Sequence, residues 1–366
     1  MNTIALNMIV GPGDADLLER CLQAFDAYNT FDEIIIVLTT YDERCEEIAK
    51  RFTNEIFHFT WSSKKYPYGN FAGARNLALQ NTHSDYVMWL DCDDLPSNDF
   101  LLAFANLKNV SGDYDYYTFD YVISKNISVN RERVFKRIPD LFWQYPVHEQ
   151  LTIDRRVHTS AHISNIQIVH SPLKATEHST GRNLQILQHE CSATSSPVMQ
   201  FYLGREFMQL QQTNGVAILE KLLYKDSVNS DLCAQICILL CGYYRAKGQF
   251  DNVETLSRIG ISYNPGYADF LINLAYIYEG RKDFKGAAEL YKKAIDCKFS
   301  GGGVYVADYY TFIPAIRLVD IFVNMRKFAM ALVYCKMARD YVVNEDRAKV
   351  VALLHGILQQ LLTENK

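Results

Sequence analysis

The stretch Tyr86-Val87-Met88-Trp89-Leu90-Asp91-Cys92-Asp93-Asp94 places three carboxylates directly after an apolar run of five residues. The run predicts a buried strand, and the acidic turn that follows lies where α/β proteins open the crevice that binds their ligands. Because clustered carboxylates repel one another, we expect a positive charge beside them. A Mg²⁺ or Mn²⁺ ion fits, since such ions bind one or two protein carboxylates and complete their shell with water and phosphate oxygens. The alternative is an Asp-rich turn that caps a helix beginning near Asn98.

Length and composition exclude several classes of protein. The 366 residues, 49% of them hydrophobic, are enough for two domains with apolar cores. No apolar run approaches the roughly 20 residues of a membrane span, and the start Met1-Asn2-Thr3-Ile4 lacks the basic residues of a signal peptide. We therefore expect a cytoplasmic protein without a membrane span. The net charge of −5 argues against nucleic acid as a partner, with a local basic groove left open.

The cysteines predict a reduced protein. None of the nine forms a Cys-x-x-Cys pair, and Cys233, Cys237 and Cys241 recur every four residues on a predicted helix. We interpret these three as core residues, with a soft-metal site as the alternative.

Residues 1–175 alternate short apolar runs with helical patterns, which predicts an α/β domain. The predicted strands are Ile4–Val10, Glu33–Leu38, Glu55–Phe59, Tyr86–Leu90, Tyr114–Ile123, Arg131–Arg137 and Ile163–Val169. The predicted helices are Asp14–Tyr28, Asp42–Phe52, Phe71–Gln80 and Asn98–Leu107.

Residues 176–366 are predicted to be all-helical and repetitive. Tyr244 and Phe250 recur as Tyr278 and Phe284, and both offsets are 34 residues (278 − 244 and 284 − 250). This is the tetratricopeptide period, in which each repeat is a pair of helices. Phe328 begins a third copy after 44 residues (328 − 284), and we assign the excess to the Ser300–Gly303 segment. Upstream, Leu203-Gly204-x-x-Phe207 has the pattern of an earlier, irregular copy.

Two further motifs flank the acidic strand. The segment Asn70-Phe71-Ala72-Gly73-Ala74-Arg75-Asn76 opens the preceding helix with small residues that permit close approach of a ligand or a strand. Its Arg75 is placed to pair with Asp91 or with a diphosphate, and a purely structural ion pair is the alternative. Downstream, Trp143-x-x-x-Val147-His148-Glu149 offers a Glu that can act as a general base beside a hydrophobic wall.

His170 is a further candidate because it ends a predicted strand. Imidazole can complete a metal shell, although an ordinary surface histidine is the alternative.

The order of these motifs resembles a known family. An amino-terminal strand, Asn-Phe-x-x-Ala-Arg-Asn at 70–76, Asp-x-Asp at 91–93, Arg-x-Phe at 133–135, Trp143 and Val-His-Glu at 147–149 are together similar to the family 2 inverting glycosyltransferases of the GT-A fold. Within that family the chain is most similar to the bacteriocin S-glycosyltransferase branch, whose members also carry tetratricopeptide-like helices.

The resemblance implies a nucleotide-diphosphate sugar donor such as a UDP-sugar, a Mn²⁺ or Mg²⁺ cofactor, and inversion at the anomeric carbon. Asp93 would bind the metal, with Asp91 and His170 as further candidate ligands, and Glu149 would be the catalytic base. Asp94 is assigned to the turn rather than to the metal. The residues implied for the nucleotide-sugar site are Val10, Thr39, Asn70, Ala74, Arg75, Asp91, Cys92, Trp143 and His148.

These observations predict a glycosyltransferase with a GT-A (Rossmann-like) α/β catalytic domain at 1–175 and a tetratricopeptide-like helical domain at 176–366. Extended helical-repeat surfaces suit peptides, so we expect a peptide or protein acceptor that presents a hydroxyl or thiol, and we leave a homodimer open. Two alternatives are kept. One is transfer to a glycan, a lipid carrier or a modified nucleic-acid base, and the other is a binding scaffold that has lost catalysis.

Overall fold

The computed structural model describes residues 2–26, 31–97, 100, 103–105, 107, 114–154, 156–173, 179–194, 196–341 and 344–364. The chain divides into two compact units, Met1–Gly215 and Val216–Lys366. The domain division predicted between residues 175 and 176 lies outside the described residues and stays a prediction. None of the helices in the described ranges has the length and apolar character that crossing a membrane requires.

The first unit is an α/β sheet followed by two helices. Its strands are β1 (Ile4–Val10), β2 (Glu33–Leu38), β3 (Ile56–His58), β4 (Tyr86–Leu90), β5 (Asp94–Pro96), β6 (Tyr116–Ser124), β7 (Ile127–Lys136), β8 (Trp143–Gln144), β9 (Gln150–Leu151) and β10 (Ser160–His170). Its helices are α1 (Ala15–Asp26), α2 (Glu43–Ala49), α3 (Phe71–Gln80), α4 (Ser179–Ala193) and α5 (Pro197–Gln209).

The strand order fixes where a ligand can bind. Within the described part of this unit the large sheet has the order β3-β2-β1-β4-β7-β6-β10-β5. Strands β3, β2, β1 and β4 are parallel, and β7 joins β4 in the antiparallel sense. Since the chain runs outward from β1 to β3 and then returns to the other side of β1, the order reverses between β1 and β4. Open α/β sheets bind ligands at the carboxyl ends of the strands at such a point.

The central parallel strands have the burial pattern of a sheet that is covered on both faces. All residues of β1 and of β4 are buried, as expected for strands covered on both faces.

Strands β1, β2 and β4 and helix α3 have the predicted bounds. Strand β7 begins four residues before the predicted Arg131 and β10 three before Ile163, while β5, β8 and β9 were not predicted. The predicted helix at 98–107 begins at Asn98, outside the described residues.

The second unit is helical, which confirms the predicted fold class of an α/β domain followed by helical repeats. Its elements are α6 (Asn214–Leu223, which begins at the division), α7 (Ser230–Ala246), α8 (Phe250–Tyr263), α9 (Ala268–Gly280), α10 (Phe284–Asp296), β11 (Val304–Val306), α11 (Ala307–Tyr310), α12 (Phe312–Asn324), α13 (Phe328–Tyr341) and α14 (Asn344–Glu364).

The helix starts confirm the repeat. Phe250, Phe284 and Phe328 are the first residues of α8, α10 and α13, and each of these helices follows the partner with which it packs. The ten additional residues of the third copy fall between α10 and α12, in a segment that holds Ser300–Gly303 and also β11 and α11. The three cysteines of α7 are buried and free, as predicted for core residues.

One glycine marks the close approach of α8 and α9. A Cβ added at Gly260 would lie 2.2 Å from the Phe270 ring, whereas one added at Gly242 of α7 meets nothing within 4 Å. We expect Gly260→Ala to lower the free energy of unfolding by about 1–3 kcal/mol through overpacking. Gly242→Ala is the matched control and should raise it by roughly 0.5–1 kcal/mol through helix propensity. Thermal unfolding followed by circular dichroism measures both, and equal effects at the two positions would contradict the packing argument.

Candidate active site

Four predicted site residues lie at the carboxyl ends of three neighbouring strands. Val10 ends β1, Thr39 follows β2, and Asp91 and Cys92 follow β4. The Thr39 amide and hydroxyl both donate to the Val10 carbonyl oxygen, at 2.9 and 3.0 Å. This edge is the point at which the strand order reverses, so these residues border the expected ligand crevice.

Arg75 joins the acidic strand end to the predicted base. Its Nη2 donates to Asp91 Oδ1 at 2.7 Å, and its Nε donates to Glu149 Oε1 at 2.6 Å. The guanidinium carbon lies 4.5 Å from the Trp89 ring centroid and 5.2 Å from that of Trp143. With only 6% of its side chain exposed, Arg75 is a buried cation held by two carboxylates and two indole rings.

The charges of this triad are mutually stabilised. Burial alone would lower the pKa of Arg75, but Asp91 and Glu149 raise it, so the guanidinium stays charged. Burial likewise opposes ionisation of Asp91, yet Arg75 and then Arg133 hold the pKa of that carboxyl below its usual value. The ion pair with Asp91 that the sequence predicted for Arg75 is thus present, and it lies at the carboxyl edge of the sheet.

Helix α3 fixes the segment that carries Trp143 and Glu149. Asn70 caps the helix by accepting from the Gly73 amide at 2.9 Å, and the Phe71 amide donates to the Pro146 carbonyl at 2.9 Å. The Asn76 side chain both donates to the Trp143 carbonyl and accepts from its amide, each at 2.8 Å. Ala74 has no exposed surface and packs against the sheet in the cluster of Ile9, Val37 and Ala78.

Asp94 accepts a hydrogen bond within the acidic turn and also pairs with a buried arginine. Its Oδ2 accepts from the Asp91 amide at 3.0 Å, which is the turn role predicted for it. The same oxygen pairs with Arg133 Nη1 at 2.9 Å, and both side chains are almost completely buried. Arg133 in turn lies between two rings, 4.0 Å from the Trp89 centroid and 4.4 Å from that of Tyr121.

Three side chains near this turn lie close enough together that they could hold a metal ion. One donor atom each of Asp93, Asp94 and His170 lies within 4.8 Å of the other two. The antiparallel register of β5 and β10 sets His170 opposite Asp94. Asp91, which was also predicted as a ligand, instead directs its carboxylate to Arg75.

The donor set fits a hard divalent cation. Asp94 Oδ1 is buried and has no hydrogen-bond partner among the described residues, which leaves a carboxylate oxygen for a cation. Two carboxylates and an imidazole suit Mn²⁺, and oxygen ligands suit Mg²⁺. The Tyr121 hydroxyl lies 2.9 Å from His170 Nδ1 and orients the ring.

His148 and Glu149 lie on a turn that helix α5 supports. His148 has φ of 52°, in the left-handed region that a residue with a side chain seldom adopts. Its imidazole stacks on the Tyr202 ring with centroids 4.1 Å apart and an interplanar angle of 18°. Burial lowers the pKa of His148, and Glu206, whose Oε1 lies 3.6 Å from His148 Nε2, opposes that effect.

Sequence reasoning missed the roles of four residues in this region. Arg133 and Tyr121 belong to strands β7 and β6, and an arginine directly before the buried Val134 and Phe135 was a usable signal for a buried cation. Tyr202 and Glu206 belong to α5, whose pattern we interpreted as an irregular repeat. No local signal links them to His148, because that contact spans more than fifty residues.

Comparison with known proteins gives one family match and several similar solved structures. Residues 13–164 match the model of the glycosyl transferase family 2. A search of curated proteins gives no match. Among solved structures, the chain is similar to S. aureus TarS 1-349 (11% identity, 72% of this chain and 92% of that chain covered, TM-score 0.35). It is also similar to MamA (17% identity, 48% and 87% covered, TM-score 0.36). A third similar structure is TTC0263, a tetratricopeptide protein of Thermus thermophilus (15% identity, 50% and 93% covered, TM-score 0.30).

The matched range includes the predicted motifs from Asn70 to Glu149 and the acidic turn between them. It supports the presence, in the amino-terminal unit, of a domain of the family 2 glycosyltransferases.

Proposed function

We propose that the protein is a metal-dependent, inverting glycosyltransferase that moves a sugar from a nucleotide-diphosphate donor, a UDP-sugar, to a hydroxyl or thiol. One observation carries the proposal. Arg75 holds Asp91 and Glu149 together beside the group of Asp93, Asp94 and His170. A candidate cation site and a candidate base would therefore border the same crevice, and all of these residues except His170 lie within the range that matches family 2 glycosyltransferases.

Asp93, Asp94 and His170 would hold the Mn²⁺ or Mg²⁺ ion. When bound, such a cation neutralises the negative charge that develops on a departing diphosphate. Arg133 keeps Asp94 in place and Tyr121 orients His170, so the ligands are positioned before the donor arrives.

Glu149 is the group that we assign to proton removal. The acceptor O–H or S–H gives its proton to the Glu149 carboxylate, while the acceptor atom forms a bond to the anomeric carbon as the bond to the diphosphate breaks. Attack on the face opposite the leaving group inverts the configuration. Arg75 fixes Glu149 by donating to Oε1, which leaves Oε2 for the acceptor.

The acceptor that we propose is a peptide or protein. The second unit consists of packed helix pairs with the tetratricopeptide period, and repeats of this kind form extended surfaces that suit peptides. A cysteine acceptor would need little help from the base, since a thiol is more acidic than a hydroxyl.

Hydrolysis of a panel of nucleotide sugars, with and without Mn²⁺, tests the proposal. We expect slow, metal-dependent release of the nucleoside diphosphate from at least one UDP-sugar. Asp93→Asn should weaken Mn²⁺ binding at least tenfold, measured by electron paramagnetic resonance, because a ligand charge is lost. Asp16→Asn, at an exposed carboxylate paired with Arg44, is the matched control and should bind Mn²⁺ like the wild type. A wild-type protein that neither binds a nucleotide sugar nor hydrolyses one would refute the proposal.

A further inference from the structure

Helix α5 contacts both neighbours of the proposed base. Tyr202 stacks on His148 at 4.1 Å, and its hydroxyl accepts from Gln150 Nε2 at 3.4 Å. Glu149 lies between these two residues in the chain and points to Arg75. A single aromatic side chain of α5 thus contacts the side chains on each side of Glu149.

Glu206 lies one helical turn after Tyr202 on α5 and also approaches His148. Tyr202 and Glu206 are four residues apart, so they share one face of α5. Glu206 is 4% exposed, and its Oε1 lies 3.6 Å from His148 Nε2. This separation is longer than a hydrogen bond, and both His148 Nε2 and Glu206 Oε2 are buried without a partner among the described residues.

These orphan atoms require an explanation. Buried polar atoms are nearly always hydrogen-bonded, and an exception can mark stored strain, a catalytic role, or the place of a water molecule or an ion. The left-handed backbone of His148 is a second departure at the same residue, and such strain persists only where the surroundings impose it. Catalytic hydrogen bonds are often long before substrate binds and shorten in the complex.

We infer that Tyr202 and Glu206 are positioning residues for Glu149, and that they act through His148, with the His148 Nε2 to Glu206 hydrogen bond closing when the acceptor binds. The inference rests on the proposed function for the role of Glu149. It concerns two residues beyond residue 164, where the family match ends, on a helix whose Leu203-Gly204-x-x-Phe207 pattern we also interpreted as an irregular repeat. The charged groups that face His148 are Glu206, Arg205 and Glu149.

Nuclear magnetic resonance of the full chain tests the contact without relying on activity. The His148 imidazole signal is identified by its loss in His148→Asn. Glu206→Gln should lower the pKa of His148, because the carboxylate that favours the charged imidazole is removed. Tyr202→Leu should shift the same signal through loss of the ring current, whereas Glu47→Gln, at an exposed carboxylate of α2, should leave it in place. An unmoved His148 titration in Glu206→Gln overturns the inference, whether or not the protein transfers sugar.

Steady-state kinetics test the positioning role. Glu206→Gln and Tyr202→Leu should lower kcat about ten- to a hundredfold, as expected for a misplaced catalytic group, with the KM for the donor unchanged. Tyr202→Phe keeps the stacked ring and should retain more of kcat than Tyr202→Leu. If both variants keep wild-type kcat, or if only the donor KM rises, the positioning role is wrong. An inactive wild type would instead count against the proposed function, and the resonance measurement would still decide the contact.

Discussion

Glu149→Gln is expected to lower kcat for sugar transfer by a factor of about 10²–10⁴, the range that general-base catalysis contributes. Glutamine is isosteric, and its amide oxygen can still accept from Arg75 Nε, so the triad geometry is retained. The amide cannot take the acceptor proton. Donor binding should stay within about twofold of the wild type, because Glu149 is assigned to the acceptor side of the reaction.

Single-turnover transfer from a UDP-sugar and donor binding by calorimetry separate these two effects. Glu47→Gln removes a carboxylate from an exposed position on α2 and is the matched control for the change in charge. Full transfer activity in Glu149→Gln would show that another group takes the proton. Loss of donor binding would instead assign Glu149 to the nucleotide-sugar pocket.

Local sequence patterns predicted the central sheet well. The fully buried runs of β1 and β4 and the small-residue start of α3 are set by periodicity and capping within each segment, and their bounds agree with the structure. The 34-residue offset between Phe250 and Phe284 likewise appears as two helix starts. These features depend on residues that are near one another in the chain.

The metal-ligand group could not be predicted in the same way. Asp94 and His170 meet because the three-residue strand β5 pairs with the end of β10, a contact across 76 residues of sequence (170 − 94). A strand that short has no periodicity to detect. The sequence therefore indicated Asp93 and His170 but assigned Asp94 to the turn alone, whereas in the structure Asp94 also belongs to the candidate metal-ligand group.

Helix α5 presents a different difficulty, because its sequence pattern is clear but its packing partner is not. Its Leu203-Gly204-x-x-Phe207 pattern is typical of helix packing, and the buried Leu203, Gly204 and Phe207 agree with that. The pattern does not specify the partner against which the helix packs. Tyr202 and Glu206 contact His148 within the first compact unit, and both are residues that the repeat pattern leaves unassigned.

Loss of Arg75 should be costly for stability, because this buried arginine pairs with two carboxylates. It neutralises two carboxylates, Asp91 and Glu149, whose side chains have exposed fractions of 41% and 13%, and its own side chain is 6% exposed. Removing one member of a buried ionic group leaves the others uncompensated, which is more costly than never having formed the group. The two flanking indoles, of Trp89 and Trp143, would also lose the cation between them.

Arg75→Met should therefore lower the free energy of unfolding by about 2–4 kcal/mol at pH 7, less than the roughly 3–5 kcal/mol of a fully buried pair, because solvent screens the 41% exposed Asp91. Because the folded-state pKa of Asp91 is depressed, its share of this stability is present above the ordinary Asp value near 3.9 and is lost as the pH falls through the folded-state value. The difference between wild type and variant should thus shrink on acidification.

Urea unfolding followed by tryptophan fluorescence reports on the first unit alone, since Trp61, Trp89 and Trp143 all lie in it. Arg51→Met, at a half-exposed arginine paired with Glu19, should cost less than about 1 kcal/mol. Equal losses in the two variants, or a difference that grows toward low pH, would show that Arg75 does not hold Asp91 in its ionised form.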